Sequence, residues 1–308
     1  MHRVKYEFSL SEERVGYIKH GFEKSKIETT IKKVKETKSL IIVIERDKEL
    51  IDISNEVLKS VDNIKSLLIR INRSKFKPDT LDWDKIRTYK NTLIDFCTDV
   101  NQNDIDLSFL NSASQLEHLN LLKIQNLSFL KDMSKLKTLV LRNNCIKYSH
   151  FENKLDLRYL ELDSWSFNRD IDFPSLPKLG YVNLTYIKEK DIDFVSTCEN
   201  LQILEIYGGA LEVFPDLSKC TKLTHIYVKS CTKLRDISGL LKCPNLESLH
   251  FCANAPKIKY EDMKGIVNIP SLTRRWIFLA TAKQNELLWK EYPNEKHFDN
   301  GEISFEVI

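Results

Sequence analysis

The side chains best equipped for chemistry in this sequence are seven cysteines and seven histidines. Their spacing decides what they could do. A structural metal site needs convergent pairs such as C-x-x-C, and no such pair occurs. The histidines form no H-E-x-x-H. The chain has no G-x-S-x-G, no G-x-G-x-x-G and no G-x-x-x-x-G-K, and its eight glycines leave little for phosphate-cradling loops. Instead, Cys198, Cys220 and Cys243 recur at one place in a repeating pattern, which predicts small apolar fillers of an interior. No metal, cofactor or catalytic group is assigned.

A period underlies that recurrence. L-x-x-L-x-L segments, with any aliphatic or aromatic residue allowed, start at Leu116, Leu136, Leu157, Leu179, Leu201, Leu223 and Leu246. The intervals run from 20 to 23 residues. Such a period marks strand-and-return repeats, each unable to bury its apolar face until a neighbour stacks on it. "IKSLLI" from Ile64 fits the template, and "KNTLIDF" from Lys90 fits it poorly. "SLIIVIE" at 39–45 reads as a buried strand, and Ile53, Val57, Leu58, Val61 and Ile64 sit at helical spacing. "SLTRRWIFLA" from Ser271 reads as a last, divergent repeat. The return segments contribute Leu127, Leu130, Ile171, Phe173, Leu211, Phe214, Leu217, Leu234, Ile237 and Leu240 to the expected core.

The segments "LKTLVLRNN", with Asn144 ninth, and "LTHIYVKSC", with Cys231 ninth, resemble the leucine-rich-repeat family. Return segments such as "DLSFL", "NLSFL" and "DISGL" resemble its short bacterial, internalin-like type. The resemblance covers residues 105–254. It implies an α/β fold: a curved leucine-rich-repeat solenoid with a parallel sheet on the concave face and atypical N- and C-terminal caps. Ile124, Trp165, Ile187 and Gly209 occupy the ninth position elsewhere, where irregular turns are expected. The expected organisation is an N-terminal cap at 1–36, with a helix start at Ser9 or Ser11; longer degenerate repeats at 37–104; regular repeats at 105–254; and a divergent repeat with a C-terminal cap, ending "EISFEVI", at 255–308. Cys97-x-Asp99 matches the C-x-D of a bacterial ubiquitin-ligase family that also carries these repeats, but there the catalytic domain follows the repeats.

Alternate strand residues leave by opposite faces. The positions that the leucines leave free therefore form the candidate binding surface: Arg142, Tyr159, Glu161, Asp163, Tyr181, Asn183, Glu205, Tyr207, His225, Tyr227, Lys229 and His250. Tyr159 and Tyr181 should lie side by side. Glu161, Asp163 and Glu205 form an acidic patch that suits a basic protein partner.

A net charge of +3 gives no general pull on nucleic acid, and the lysine-rich stretch 24–38 lacks stacking aromatics and reads as a solvated helix face. No apolar run reaches membrane-spanning length. An odd cysteine count and a polar N-terminus point to a reducing, cytoplasmic setting. The expectation is a non-enzymatic protein-binding scaffold, of the kind an immunity protein uses to neutralise a bacterial toxin. The rivals are an effector or regulatory adaptor whose activity or targeting lies in the N-terminal region, and an enzyme with a dispersed site, which predicts a coupled acid–base cluster in a closed pocket.

Overall fold

The computed structural model describes residues 15–45, 47–72, 77, 80–100, 105–122, 124, 126–142 and 145–293. Asn144, the Ser9 and Ser11 helix start, and "EISFEVI" lie outside them. The chain divides into two compact units, split after Arg142.

The first unit stacks parallel strands β1 (Gly16–Ile18), β2 (Ser39–Ile44), β3 (Ser66–Ile71), β4 (Asp95–Thr98), β5 (His118–Leu122) and β6 (Thr138–Arg142) in chain order. Their register aligns Leu40, Leu67, Phe96, Leu119 and Leu139 in one row, all essentially closed to solvent. The first returns are helices: α1 (Ile27–Thr37), α2 (Glu49–Lys59) and α3 (Trp83–Thr88). An eleven-residue helix such as α2 rises about 16 Å, close to the length of the six-residue strand it must return along. That accounts for the longer period of these repeats. The later returns are single 3₁₀ turns at Ser108–Ser112 and Ser128–Asp132, which fit a shorter repeat.

Each helix has a local cause. α1 buries Ile27, Thr30 and Val34 on one face, leaving its lysines outside as expected, and stops at Lys38 in the left-handed conformation. α2 buries Leu50, Ile51, Ile53, Val57 and Leu58. α3 starts where the Asp82 carboxylate accepts the Lys85 N–H at 2.9 Å. Tyr89, fully buried behind α3, donates its hydroxyl to the Leu58 carbonyl at 2.7 Å.

One expectation is corrected here. The repeat assigned to Lys90 begins at Leu93, because Phe96 pairs level with Leu67 and Leu119. Thr98 stands where a leucine is usual; it is buried, and its hydroxyl accepts the Val100 N–H at 3.1 Å. The segment expected as an N-terminal cap holds a strand, β1, paired with β2 through Gly16–Leu40 and Ile18–Ile42, and the helix α1.

The second unit repeats the scheme with β8 (Tyr159–Asp163), β10 (Tyr181–Ile187), β11 (Ile203–Gly209), β12 (His225–Lys229), β13 (Ser248–Cys252) and β14 (Arg274–Ile277), all parallel. Leu160, Val182, Leu204, Ile226 and Leu249 form its buried row, and Arg275 ends it. Short strands β7 (Cys145–Lys147) and β9 (Ser166–Asn168) pair separately. There Phe167 packs edge-on against Tyr148 and Trp165, and Phe173 packs at a tilt against Phe194. Ile171, expected inside, is 40% exposed, and this aromatic cluster supplies the apolar filling instead. Helices α4 (Tyr260–Val267) and α5 (Ala282–Glu291) complete the unit, and Trp289 of α5 donates its indole N–H to the Ile277 carbonyl at 3.0 Å.

The D/N-x-S motif of the returns is an Asx turn. Asp106, Asn126, Asp216 and Asp236 each accept the N–H two residues on, at 2.8–2.9 Å. Cys198, Cys220 and Cys243 are buried in equivalent places, as the sequence predicts, and Cys231 donates to the Lys229 carbonyl at 3.4 Å. Ile124, Trp165 and Ile187 fill the ninth position with buried apolar bulk where a turn amide is otherwise used. In both units the level parallel strands, each followed by a return segment, make a leucine-rich-repeat architecture.

Candidate binding face

In the second unit the strand face turned away from the returns is organised in three rows. The first runs Tyr159, Tyr181, Ile203, His225, Ser248. The second runs Glu161, Asn183, Glu205, Tyr227, His250, Trp276. The third runs Asp163, Thr185, Tyr207, Lys229, Cys252. All the predicted residues except Arg142 therefore share this face. Arg142 ends β6 in the other unit, where it donates to Asn120 Oδ1 at 3.4 Å.

Strand spacing brings the Tyr159 and Tyr181 rings into a stack, with centroids 4.4 Å apart and planes 7° from parallel. The sequence reading of Tyr181 as a surface position is corrected: Tyr159 is 2% and Tyr181 1% exposed, and Tyr227 is also buried. The Tyr159 hydroxyl donates to Glu161 Oε2 at 2.9 Å. Asn183 donates to Glu205 Oε2 at 3.1 Å and accepts from the Thr185 hydroxyl at 3.0 Å.

Glu205 is the electrostatic centre. It is 1% exposed, and burial pushes its carboxyl up to about 7, against the restraining approach of the Tyr181 and Tyr207 hydroxyls. Its Oε1 has no partner of good hydrogen-bond geometry, so those hydroxyls stabilise the charge without closing a bond to that oxygen. Burial and the Glu205 charge push the Tyr207 phenol upward and the Tyr227 phenol to about 12, so both remain protonated donors. His225 is held below the usual imidazole range by burial and by Arg274. Arg274 donates to His225 Nε2 at 2.9 Å, which leaves Nδ1–H to face the Thr224 hydroxyl at 2.8 Å.

Sequence reasoning missed Tyr186, Gly208 and Ser230 in the wall beside this network. Tyr186, Gly208, Tyr207, Tyr227, Lys229, Ser230 and His250 line a cavity of about 280 Å³. Position eight of these repeats is left-handed: Ser164, Tyr186, Gly208 and Ser230 all have φ between 48° and 69°. Serine and glycine suit that conformation better than a bulky aromatic does. Tyr186 is nevertheless there, 63% exposed, and Gly208 makes it possible: a Cβ on Gly208 would meet the Tyr186 ring at 2.9 Å. The only signal in the sequence was the break in the small-residue series at position eight.

The first unit holds an arrangement that the motif search could not find. Ser66, Asp95, His118 and Thr138 are level on neighbouring strands. Ser66 donates to Asp95 Oδ2, His118 Nε2 lies 3.8 Å from Asp95 Oδ1, and His118 Nδ1 is 3.0 Å from the Thr138 hydroxyl. Burial raises the Asp95 carboxyl and lowers the His118 imidazole. The order hydroxyl–imidazole–carboxylate is that of an activated nucleophile. Thr138, however, is fully closed to solvent, so its oxygen cannot meet a substrate. Among the described residues, no group of three His, Cys, Asp or Glu is placed to hold a metal, and no helix is long and apolar enough to cross a membrane.

No family model matches the sequence, and no curated protein matches it. Among solved structures the chain is similar to the crystal structure of an internalin from Listeria monocytogenes, at 16% identity over 86% of this chain and 87% of that one, with a TM-score of 0.44. The assignment of the architecture rests on the strand register and the repeat period.

Proposed function

We propose that the second unit is a protein-binding scaffold that works through its strand face and performs no chemistry of its own. One observation carries this reading. The side chains that the apolar row does not need include tyrosines, carboxylates, an asparagine, a lysine and two histidines in level rows beside an aromatic-walled cavity. Tyrosine gives large, amphipathic contact area at low ordering cost. Glu161 and Asp163, both on β8, favour a partner with basic groups at that end of the face.

The narrower reading is that the partner is a toxin held inactive, as immunity proteins do. It rests on analogy with small, unlinked binding proteins. The test is capture of partners from the source organism by the wild type beside Asp163→Lys and Tyr186→Ser. Both positions are solvent-accessible, so all three proteins should melt alike. A partner held by the wild type and lost by both variants supports the face, and its identity separates toxin from signalling protein. A partner retained by both variants removes the face from consideration and favours the N-terminal region.

A further inference from the structure

The third row of the binding face carries a spacing that specifies more than a sticky surface. Asp163, Thr185, Tyr207 and Lys229 are level on four successive parallel strands. The two ends of this row have opposite charge, and among the described residues neither Asp163 nor Lys229 has an ion-pair partner. Asp163 accepts only the neighbouring Ser164 hydroxyl, at 2.8 Å. Lys229 is exposed and lines the tyrosine cavity. In the rows beside it, Glu161 shares the strand of Asp163, His225 shares the strand of Lys229, and His250 and Arg274 lie on the strands beyond, while Glu205 is buried on the strand next to Lys229.

Three strand spacings of about 4.8 Å separate the two charges by about 14 Å along the row. An extended chain advances about 3.3 Å per residue and shows every second side chain to the same face. Residues i, i+2 and i+4 would then face the row together and span about 13 Å. A helix matches less well. Its same-face residues fall near seven or eleven positions on, at about 10 or 16 Å.

We infer that this face recognises an extended segment of a partner protein, crossing the strands, with a Lys or Arg over Asp163, an aromatic or apolar side chain at the tyrosine cavity, and an Asp or Glu four residues from the first, over Lys229. The inference rests on the proposed binding role of the face and adds the chemistry of the partner. The cavity of about 280 Å³ has room for one large side chain, and its charged member, Lys229, together with the phenolic hydroxyls, can donate to the acidic end.

The probe is a displayed library of random peptides, panned over the immobilised full chain. Wild type should enrich sequences with opposite charges four residues apart and an aromatic residue between them. Lys229→Glu makes both ends acidic and should enrich Lys or Arg at both positions. Asp163→Lys makes both ends basic and should enrich Asp or Glu at both. A wild-type peptide should lose about fivefold in affinity to either variant, the upper range for an exposed pair. Lys229→Gln, which adds no charge, stands in if Lys229→Glu melts lower than wild type. The inference is overturned if no four-residue charge spacing emerges, or if the enriched sequences are the same for all three proteins. Loss of the library signal while Asp163→Lys still abolishes capture of a whole protein partner would remove the extended-segment inference and leave the binding role of the face standing.

Discussion

The two units use one backbone plan and present different faces. In the first unit the middle row reads Ile41, Leu68, Cys97, Asn120, Val140, and Val15, Ile41, Leu68 and Cys97 form a buried apolar cluster there. In the second the same row reads Glu161, Asn183, Glu205, Tyr227, His250. The inward rows are mostly aliphatic in both, with Phe96 in the first and Arg275 closing the second. The plan is thus fixed by residues that point one way, and recognition by residues that point the other. Each unit mixes its returns, helical between the strands from β1 to β4 and again between β13 and β14 and 3₁₀ at Ser108–Ser112, Ser128–Asp132 and Ser238–Lys242, and the mixture changes repeat length without disturbing strand register.

The comparison can be broken or sharpened experimentally. If the inward rows are equivalent, Leu67→Ala and Leu204→Ala should each cost about 2–5 kcal/mol, read by urea unfolding of the full chain. A loss confined to one of them would show that the two units are not held by the same device.

Glu205 sets the second unit apart in pH dependence. Its folded-state value, about 7, lies above its ordinary value, so the folded state binds the proton more tightly than the unfolded state does. The sign follows: stability contributed by the protonated carboxyl is present below the ordinary carboxylate range and is lost as pH rises toward 7. Glu205→Gln should therefore be near neutral at pH 5 and stabilising by about 2–3 kcal/mol at pH 8. Thermal melts of both proteins across that range check it, and equal melting differences at the two pH values would contradict it.

The stacked pair comes next in size. Tyr159→Leu, Tyr181→Leu and the double variant should give a coupling of about 1 kcal/mol. Smallest is Tyr186→Gly. It relieves a left-handed tyrosine, so stability should hold or rise by up to about 1 kcal/mol while partner binding falls. A clear loss of stability would mean that the ring serves the fold.

How much of this was legible in the sequence follows from the same division. The inward rows announce themselves, because L-x-x-L-x-L recurs and little else can fill those places. The start at Leu93 was obscured by Thr98, a polar residue satisfied by a backbone N–H that only the structure reveals. β1 is three residues long, too short for an alternation to be read. The outward residues could be named from alternation, but their burial could not: it depends on which side chains stand level across strands, as with Tyr159 and Tyr181. Tyr186 was missed because position eight is defined by a backbone angle, which apolar periodicity does not encode. The Asp95–His118–Thr138 line was missed because its members are 20 or more residues apart and meet only through register.

The central claim is that the strand face of the second unit holds the partner. Its most direct test is a photo-crosslinking side chain placed at Tyr186 or at Leu155, which are exposed to similar degrees, 63% and 59%. Leu155 lies in the segment leading into β8, off the strand face. In cells of the source organism, adducts with a partner should form from position 186 and not from 155. Adducts from 155 with none from 186 would contradict the account.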